Sequence, residues 1–267
     1  MRIWVIIIAG ALSLAAKTYP VDGIVVAIDP ASRTMLVSHR PIPGYMGAMM
    51  MPFRVGEANE MASLYPGAHV AFDLVVDKQG SVARHVRKAG GADLEIAPPK
   101  EALRVGEPIA DFRLTDQLGR VVTLADLRGK WVAVDFIYSR CPLPDVCPRL
   151  AANFAALQRR FAGDLGKRLM LVSVTVDPEY DTPAVLADYA RRWGADPNGW
   201  RFLTGDVAKL AAQLGELYWT DEGSIGHNST TSVIDPEGKL AARVEGSNYR
   251  VDQLANLIER ELKEGMR

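Results

Sequence analysis

VAVDFIYSRCPLPDVCPRL, residues 132–150, contains the only two cysteines of the 267-residue chain and sets them directly after an apolar run. That run, residues 131–138, reads as a buried parallel strand. Cys141 then falls in the loop leaving the strand's C-terminal end, where open α/β sheets place their chemistry. Cys147 precedes Pro148 and an apolar-periodic segment, and proline is favoured at the first helical position. A thiol there sits among unpaired backbone N–H groups at the positive end of the helix dipole, which favours the thiolate. Both thiols are therefore candidates for reactivity. A plain stabilising disulfide is the alternative that the cysteine count leaves open.

Outward from this stretch, strands and helices alternate. Upstream, residues 110–124 predict a β-hairpin turning at Gly119, followed by a helical turn over 124–127. Downstream, Leu150, Phe154, Leu157 and Phe161 recur at helical spacing, so residues 148–161 predict a helix. A second apolar strand covers 169–176. Thr182 and Pro183 cap and start a helix that runs through Trp193. Asp206 and Val207 open another that reaches about Tyr218. Residues 230–234 and 240–245 form a hairpin around the turn sequence Asp235-Pro236-Glu237-Gly238, and a helix over 251–263 ends the pattern. This order predicts a thioredoxin-like α/β domain over residues 101–267.

The chain is long for one domain, and its 48% hydrophobic content is enough for a sizeable core. A formal net charge of -1 gives no electrostatic case for nucleic acid. Arg159-Arg160 and Arg191-Arg192 fall within predicted helices, where they read as solvated faces. Residues 1–16 carry a charge at Arg2, then an apolar segment and small residues at a cleavage spacing, the pattern of a signal peptide or membrane anchor. Membrane contact is expected only through this segment, and export to the periplasm would put the thiols in an oxidising compartment.

Residues 17–88 read as five short β segments divided by turns, which predicts a small all-β barrel. Residues 89–100, with Gly-Gly and Pro-Pro, read as a linker. Within the first domain four of the nine methionines fall between Met46 and Met51. Residues two apart in a strand share a face, so Met49 and Met51 would present two thioethers side by side. Met46 in the preceding loop and His39 at the end of the preceding strand could approach them. Thioethers are soft ligands suited to Cu(I), and methionines that simply fill the barrel interior are the competing reading.

The order of this stretch, a histidine, Pro41-Ile42, Met46-x-x-Met49-x-Met51 and then Pro52-Phe53, is similar to the periplasmic copper-binding domains of the CusF type. The resemblance implies an OB-like barrel and a Cu(I) site made by His39, Met49 and Met51. Met46 stands where the family has a metal-covering tryptophan. The second domain resembles the Sco/SenC family over nearly all of residues 101–267. Three separated motifs carry it: FIYSRC (136–141) with Cys147-Pro148, VTVDPEYDTP (174–183), and His227 nine residues before Pro236. That resemblance implies copper ligands Cys141, Cys147 and His227, with Cu(I) or Cu(II) as the ion. It implies a metallochaperone for the copper-bearing subunit of cytochrome c oxidase or another cuproprotein, served by a thiol-disulfide reductant. The family usually has three residues between its cysteines, and this chain has five.

Two further functions share the fold. A peroxidase of the peroxiredoxin type would need Pro and Thr where Val134 and Tyr138 stand. A thiol-disulfide oxidoreductase acting on the cysteines of a copper-site apoprotein is the alternative enzyme reading, with Cys141 and Cys147 cycling between dithiol and disulfide. Such enzymes usually have two intervening residues and a proline where Ser229-Thr230 lie. His69 and His85 belong to no motif and read as ordinary strand or surface residues.

Overall fold

The structure, a computed structural model, describes residues 16–91, 93–94, 96, 102–221, 224–247 and 249–264. The expected signal or anchor segment and most of the second half of the expected linker lie outside these residues. The chain divides into two compact units, one of Met1–Met46 with Met51–Asp93, the other of Gly47–Met50 with Leu94–Arg267. No helix among the described residues is long and apolar enough to cross a membrane.

The first sheet is formed by β1 (Lys17–Asp29), β2 (Thr34–His39), β3 (Met49–Arg54), β4 (His69–Asp77) and β5 (Gly80–Lys88), in the order β3-β2-β1-β4-β5. Strand β1 runs antiparallel to both β2 and β4 and forms the long spine of the sheet. Its ladder with β2 is interrupted by an irregularity between Val25 and Ala27, and Gly23 pairs with His39. A Cβ at Gly23 would lie 2.5 Å from the Ser38 carbonyl oxygen, so glycine alone lets the end of β2 come in this close. Val21, Val25, Met35, Val37, Phe53, Phe72 and Leu74 fill the concave side.

This sheet is not closed into the expected barrel. Its two edges meet at one parallel bridge, Val55 with Ala83, where Gly56 N–H donates to the Ala83 carbonyl at 2.9 Å. No ladder extends from that point, because the chain leaves β3 at Gly56 and turns into a single 3-10 turn at Ala58–Met61. The result is a strongly coiled open sheet with the expected strands.

The second unit has the element order β6 (Arg113–Asp116), β7 (Val121–Thr123), α1 (Leu124–Leu127), β8 (Trp131–Ile137), α2 (Cys147–Arg160), β9 (Leu169–Thr175), α3 (Pro183–Arg192), β10 (Trp200–Thr204), α4 (Ala208–Gln213), β11 (Tyr218–Asp221), β12 (Ser224–His227), β13 (Thr231–Ile234), β14 (Leu240–Val244) and α5 (Val251–Glu264). Seven strands form one sheet in the order β14-β13-β8-β9-β10-β6-β7, in which β8, β9 and β10 are parallel. Strand β8 is central. Parallel β9 lies on one side and antiparallel β13 on the other, and its side chains beyond Trp131 are all buried, as in a strand covered on both faces. This is the thioredoxin-like arrangement expected from the alternation of elements.

Two parts of this unit depart from the expectations. Strand β10 was not anticipated. Helix α4 stops at Gln213 rather than near Tyr218, because Gly215 takes a left-handed conformation with φ 78° and ends it. The residues released form, with β12, a separate antiparallel ribbon of two strands. Gly226 is needed there: a Cβ would lie 2.4 Å from the indole of Trp219, its partner across the ribbon.

Candidate functional site

The β8–β9 ladder ends at the pair Ile137–Thr175, and the chain then runs through Tyr138, Ser139 and Arg140 to Cys141. The five-residue loop between the cysteines is knit to its surroundings. Val146 N–H donates to the Leu143 carbonyl at 3.1 Å, and the Asp145 carbonyl accepts the Ser247 hydroxyl at 2.8 Å. Helix α2 begins on Cys147 itself, one residue before the expected start, with Pro148 in its first turn. Both cysteines are free thiols. Cys147 is fully buried and Cys141 half-buried.

Burial decides the state of the two sulfurs. It pushes the Cys147 thiol well up, and the hydrogen bond with Cys141 adds to this. Hydrogen bonding from Cys147 draws Cys141 down to about 6, against the opposing effect of burial. The thiolate expected at Cys147 from the helix dipole is therefore corrected. At a fully buried sulfur desolvation outweighs the dipole, and the thiolate belongs to Cys141.

His227 closes β12, opposite Tyr218. Its Nδ1 donates to Glu216 Oε1 at 2.7 Å, which leaves the Nε2 lone pair facing Cys147 Sγ at 3.5 Å. Glu216 is itself buried and accepts from the backbone N–H of Thr230 at 2.7 Å and of Ser229 at 3.3 Å. A carboxylate with these three donors holds the imidazole in one tautomer and one plane. Tyr138 packs edge-on to the His227 ring at 6.0 Å. Cys147 thus stands between Cys141 and His227. Among the described residues no three His, Cys, Asp or Glu side chains are gathered closely enough to hold an ion as they stand. Metal capture at these residues would displace the Cys147 proton and draw Cys141 and the imidazole to a common point.

Several residues around this site were not singled out from the sequence. Glu216 precedes its histidine by eleven positions and carries no local signal. Asp135 interrupts an apolar strand, a visible anomaly. Its carboxyl is fully buried, and burial pushes it up to about 7 against the opposing effect of the Ser173 hydroxyl. Asp177 and Asp181, from the VTVDPEYDTP motif, hold the link to Cys141. Arg140 Nε donates to Asp177 at 2.6 Å, and Ser139 N–H to Asp181 at 3.0 Å.

In the five-stranded sheet Met49, Met51 and Phe53 occupy one face of β3 by their spacing. Phe53 is buried and packs edge-on to His39 at 5.5 Å. Met46 and Met51 are half-buried against the apolar core, and the Met46 backbone closes a turn on Ile42. His39 is 3% exposed, and its Nδ1 donates to the Arg40 carbonyl at 2.7 Å. Its Nε2 is buried without a hydrogen-bond partner among the described residues. Such an orphaned acceptor costs about 1–3 kcal/mol, and a soft cation is a group that could use its lone pair. Burial lowers the pKa of His39 and keeps the ring neutral, as a ligand must be. His85 lies exposed against Asp73 at 2.9 Å and takes no part in either cluster.

Comparison with known proteins bears on both units. Residues 100–263 match the family model described as SCO1/SenC, and residues 18–88 match that of the copper binding periplasmic protein CusF. A SCO1 protein homolog of Bacillus subtilis is 27% identical over 52% of this chain and 74% of its own length. The mitochondrial SCO2 homolog of Bos taurus is 36% identical over 52% of this chain, and the chain spans 54% of that protein. Arabidopsis thaliana ScoI, solved with copper bound, superposes with a TM-score of 0.51 at 26% identity, covering 59% of this chain and 99% of that one.

Proposed function

The chain belongs to the SCO1/SenC family, and from that premise we propose that it is an exported copper metallochaperone. Cys141, Cys147 and His227 would take the ion and pass it to the copper-bearing subunit of cytochrome c oxidase or to another cuproprotein. The observation that carries this reading is the imidazole of His227, turned by a buried carboxylate so that its free nitrogen meets a thiol at 3.5 Å. Two sulfurs and one imidazole suit Cu(I), and can also serve Cu(II). The copper-bound Arabidopsis relative supports the choice of metal. In such a site Cys141 supplies a thiolate near neutral pH. Cys147 gives up its proton on binding, and Glu216 keeps the His227 ring aimed.

The methionine face of the five-stranded sheet is proposed as a second site, for Cu(I), formed by His39, Met49 and Met51 with Met46 beside them. Thioethers do not titrate, and burial lowers the His39 pKa and so favours the neutral ring, so this site should keep Cu(I) at acidities where thiolates are lost. The expected result uses the full chain with Cys141→Ser and Cys147→Ser. It should bind one Cu(I) or Ag(I) ion at pH 5.5 (about one unit below the ordinary histidine value) and lose it on adding Met49→Leu and Met51→Leu. Unchanged stoichiometry would make the methionines core packing alone. Because neutral thioethers hold Cu(I) less firmly than two thiolates do, transfer should run from the methionines to reduced Cys141 and Cys147.

A second reading, thiol-disulfide reductase, is favoured by the asymmetry of the pair, a half-exposed thiolate backed by a buried thiol. The two readings separate at His227. For the metallochaperone, His227→Ala should impair copper transfer about as severely as loss of a cysteine while leaving copper-free reduction of a partner's disulfide intact. If transfer survives the change, and copper-free reduction proceeds at full rate, the reductase reading takes its place.

A further inference from the structure

Asp181 is a buried carboxylate on which three hydrogen bonds converge. Ser139 supplies two of them, its backbone N–H to Oδ2 at 3.0 Å and its hydroxyl to Oδ1, and the Thr175 hydroxyl supplies the third at 2.5 Å. Beyond the last pair of the β8–β9 ladder, the link from Tyr138 to Arg140 has no strand partner. The segment from Asp177 to Asp181 holds it instead. Arg140 is pinned to Asp177 at 2.6 Å with its guanidinium 4.6 Å over the Tyr180 ring, and the segment is closed by Asp181 N–H on the Asp177 carbonyl at 2.8 Å. A carboxylate removed from water costs several kcal/mol unless its lone pairs are filled. Here filling them requires Ser139 in one place, two residues before Cys141.

We propose that Asp181 is a positioning residue for Cys141. Acting through Ser139, it fixes the backbone from which the Cys141 sulfur meets Cys147, and so sets the balance between dithiol and disulfide. The inference rests on reading Cys141 and Cys147 as the working pair. Closing the disulfide joins the two sulfurs, gives two electrons to an oxidant and releases two protons. With glutathione disulfide as oxidant, two glutathione thiols are formed. A disulfide tolerates only a narrow range of Cα separations and side-chain directions, so freeing residue 139 lowers the effective concentration of one sulfur at the other.

The test is the equilibrium of the full chain, free of copper, in a glutathione redox buffer. An asparagine at 181 keeps one acceptor oxygen and loses the charge, and a hydroxyl set against its NH2 group must turn from donor to acceptor, so the hold on Ser139 is weakened. Asp181→Asn should make the disulfide at least ~10-fold less favoured, a rise in potential of about 30 mV. Ser139→Ala should shift it less, in the same direction, and the double variant should fall short of the sum. Thr175→Val strips a hydrogen bond from the same carboxylate and the acceptor of the Asp177 N–H, so it loosens the segment more widely than Asp181→Asn while leaving both Ser139 donors on Asp181. It should lower the unfolding midpoint and leave the potential where it was. The proposal is overturned if Asp181→Asn lowers the midpoint without moving the potential, or if Thr175→Val moves it equally. Should Asp181→Asn fail to fold, the contrast between Ser139→Ala and Thr175→Val decides in the same way. The potential is read without metal, so a failure of the copper reading leaves this result standing, and an unmoved potential leaves the copper reading untouched.

Discussion

Glu216→Gln is expected to weaken copper binding by the reduced protein about 10- to 100-fold, the usual cost of losing the group that orients a ligating histidine, and His227→Ala is expected to weaken it further. The argument lies in the donor count at Glu216. The carboxylate accepts from His227 Nδ1, Thr230 N–H and Ser229 N–H, and all three are buried. Glutamine keeps one acceptor oxygen and sets an NH2 group against the remaining donors. Either the imidazole or the backbone of residues 229–230 must then turn away. If the ring turns, Nε2 no longer faces Cys147. The measurement is competition against a Cu(I) chelator with both thiols reduced. Affinity that is unchanged in both variants would remove His227 from the ligand set. Acid should act on the same site. Copper and protons compete for the sulfurs, so affinity should fall with pH already through the neutral range, where Cys147 keeps its proton, and more steeply below the Cys141 value of about 6.

Asp135→Asn is expected to stabilise the reduced, metal-free protein above neutral pH. The Asp135 carboxyl has an ordinary value of 3.8 and is pushed up to about 7 by burial. Between these values the unfolded chain has lost the proton and the native state keeps it, so the native state binds more protons. Stability from this group is therefore complete below the unfolded value and is lost as pH rises through the folded one. A shift of this size corresponds to roughly 4 kcal/mol. Asparagine does not ionise, so the variant should match the parent near pH 4 (close to the ordinary carboxyl value) and exceed it at pH 8, where urea unfolding would show the gap. If the gap at pH 8 is absent, the carboxylate is ionised and paired in the native protein. A group carried at this cost beside Cys147, Glu216 and His227 belongs to the site's electrostatics, and its removal should also alter the ease with which Cys147 loses its proton.

Much of the fold was legible because the core strands are continuous apolar runs and the helices have clear starts. Residues 131–138 and 169–176 could scarcely be anything but buried strands, and Thr182-Pro183 announces α3. Closure of the first sheet was not legible. It depends on whether the chain after Val55 continues alongside β5, and no local pattern states that. Cys141 and Cys147 stood out by rarity, whereas His227 gained meaning only from the resemblance to the Sco/SenC family. Glu216 was hidden, since its partner is reached through a ribbon whose existence turns on the left-handed Gly215. The state of Cys147 was misjudged for a related reason. A helix start can be read from sequence, but the depth at which it lies depends on what packs above it.

Among the described residues the ribbon of β11 and β12 makes no strand ladder with the seven-stranded sheet. Backbone held by so few bonds opens at lower free energy than the strands beneath it, so its amides should exchange with solvent hydrogen faster than those of β8 and β9. His227 rides on that ribbon, while Cys141 and Cys147 are rooted beside the sheet. An ion bound by all three could lose the imidazole and keep both sulfurs, giving an incoming thiol an open coordination position. Cargo would then leave by stepwise ligand exchange within an encounter complex, at a rate that rises with the concentration of the acceptor, without the ion ever passing through bulk water.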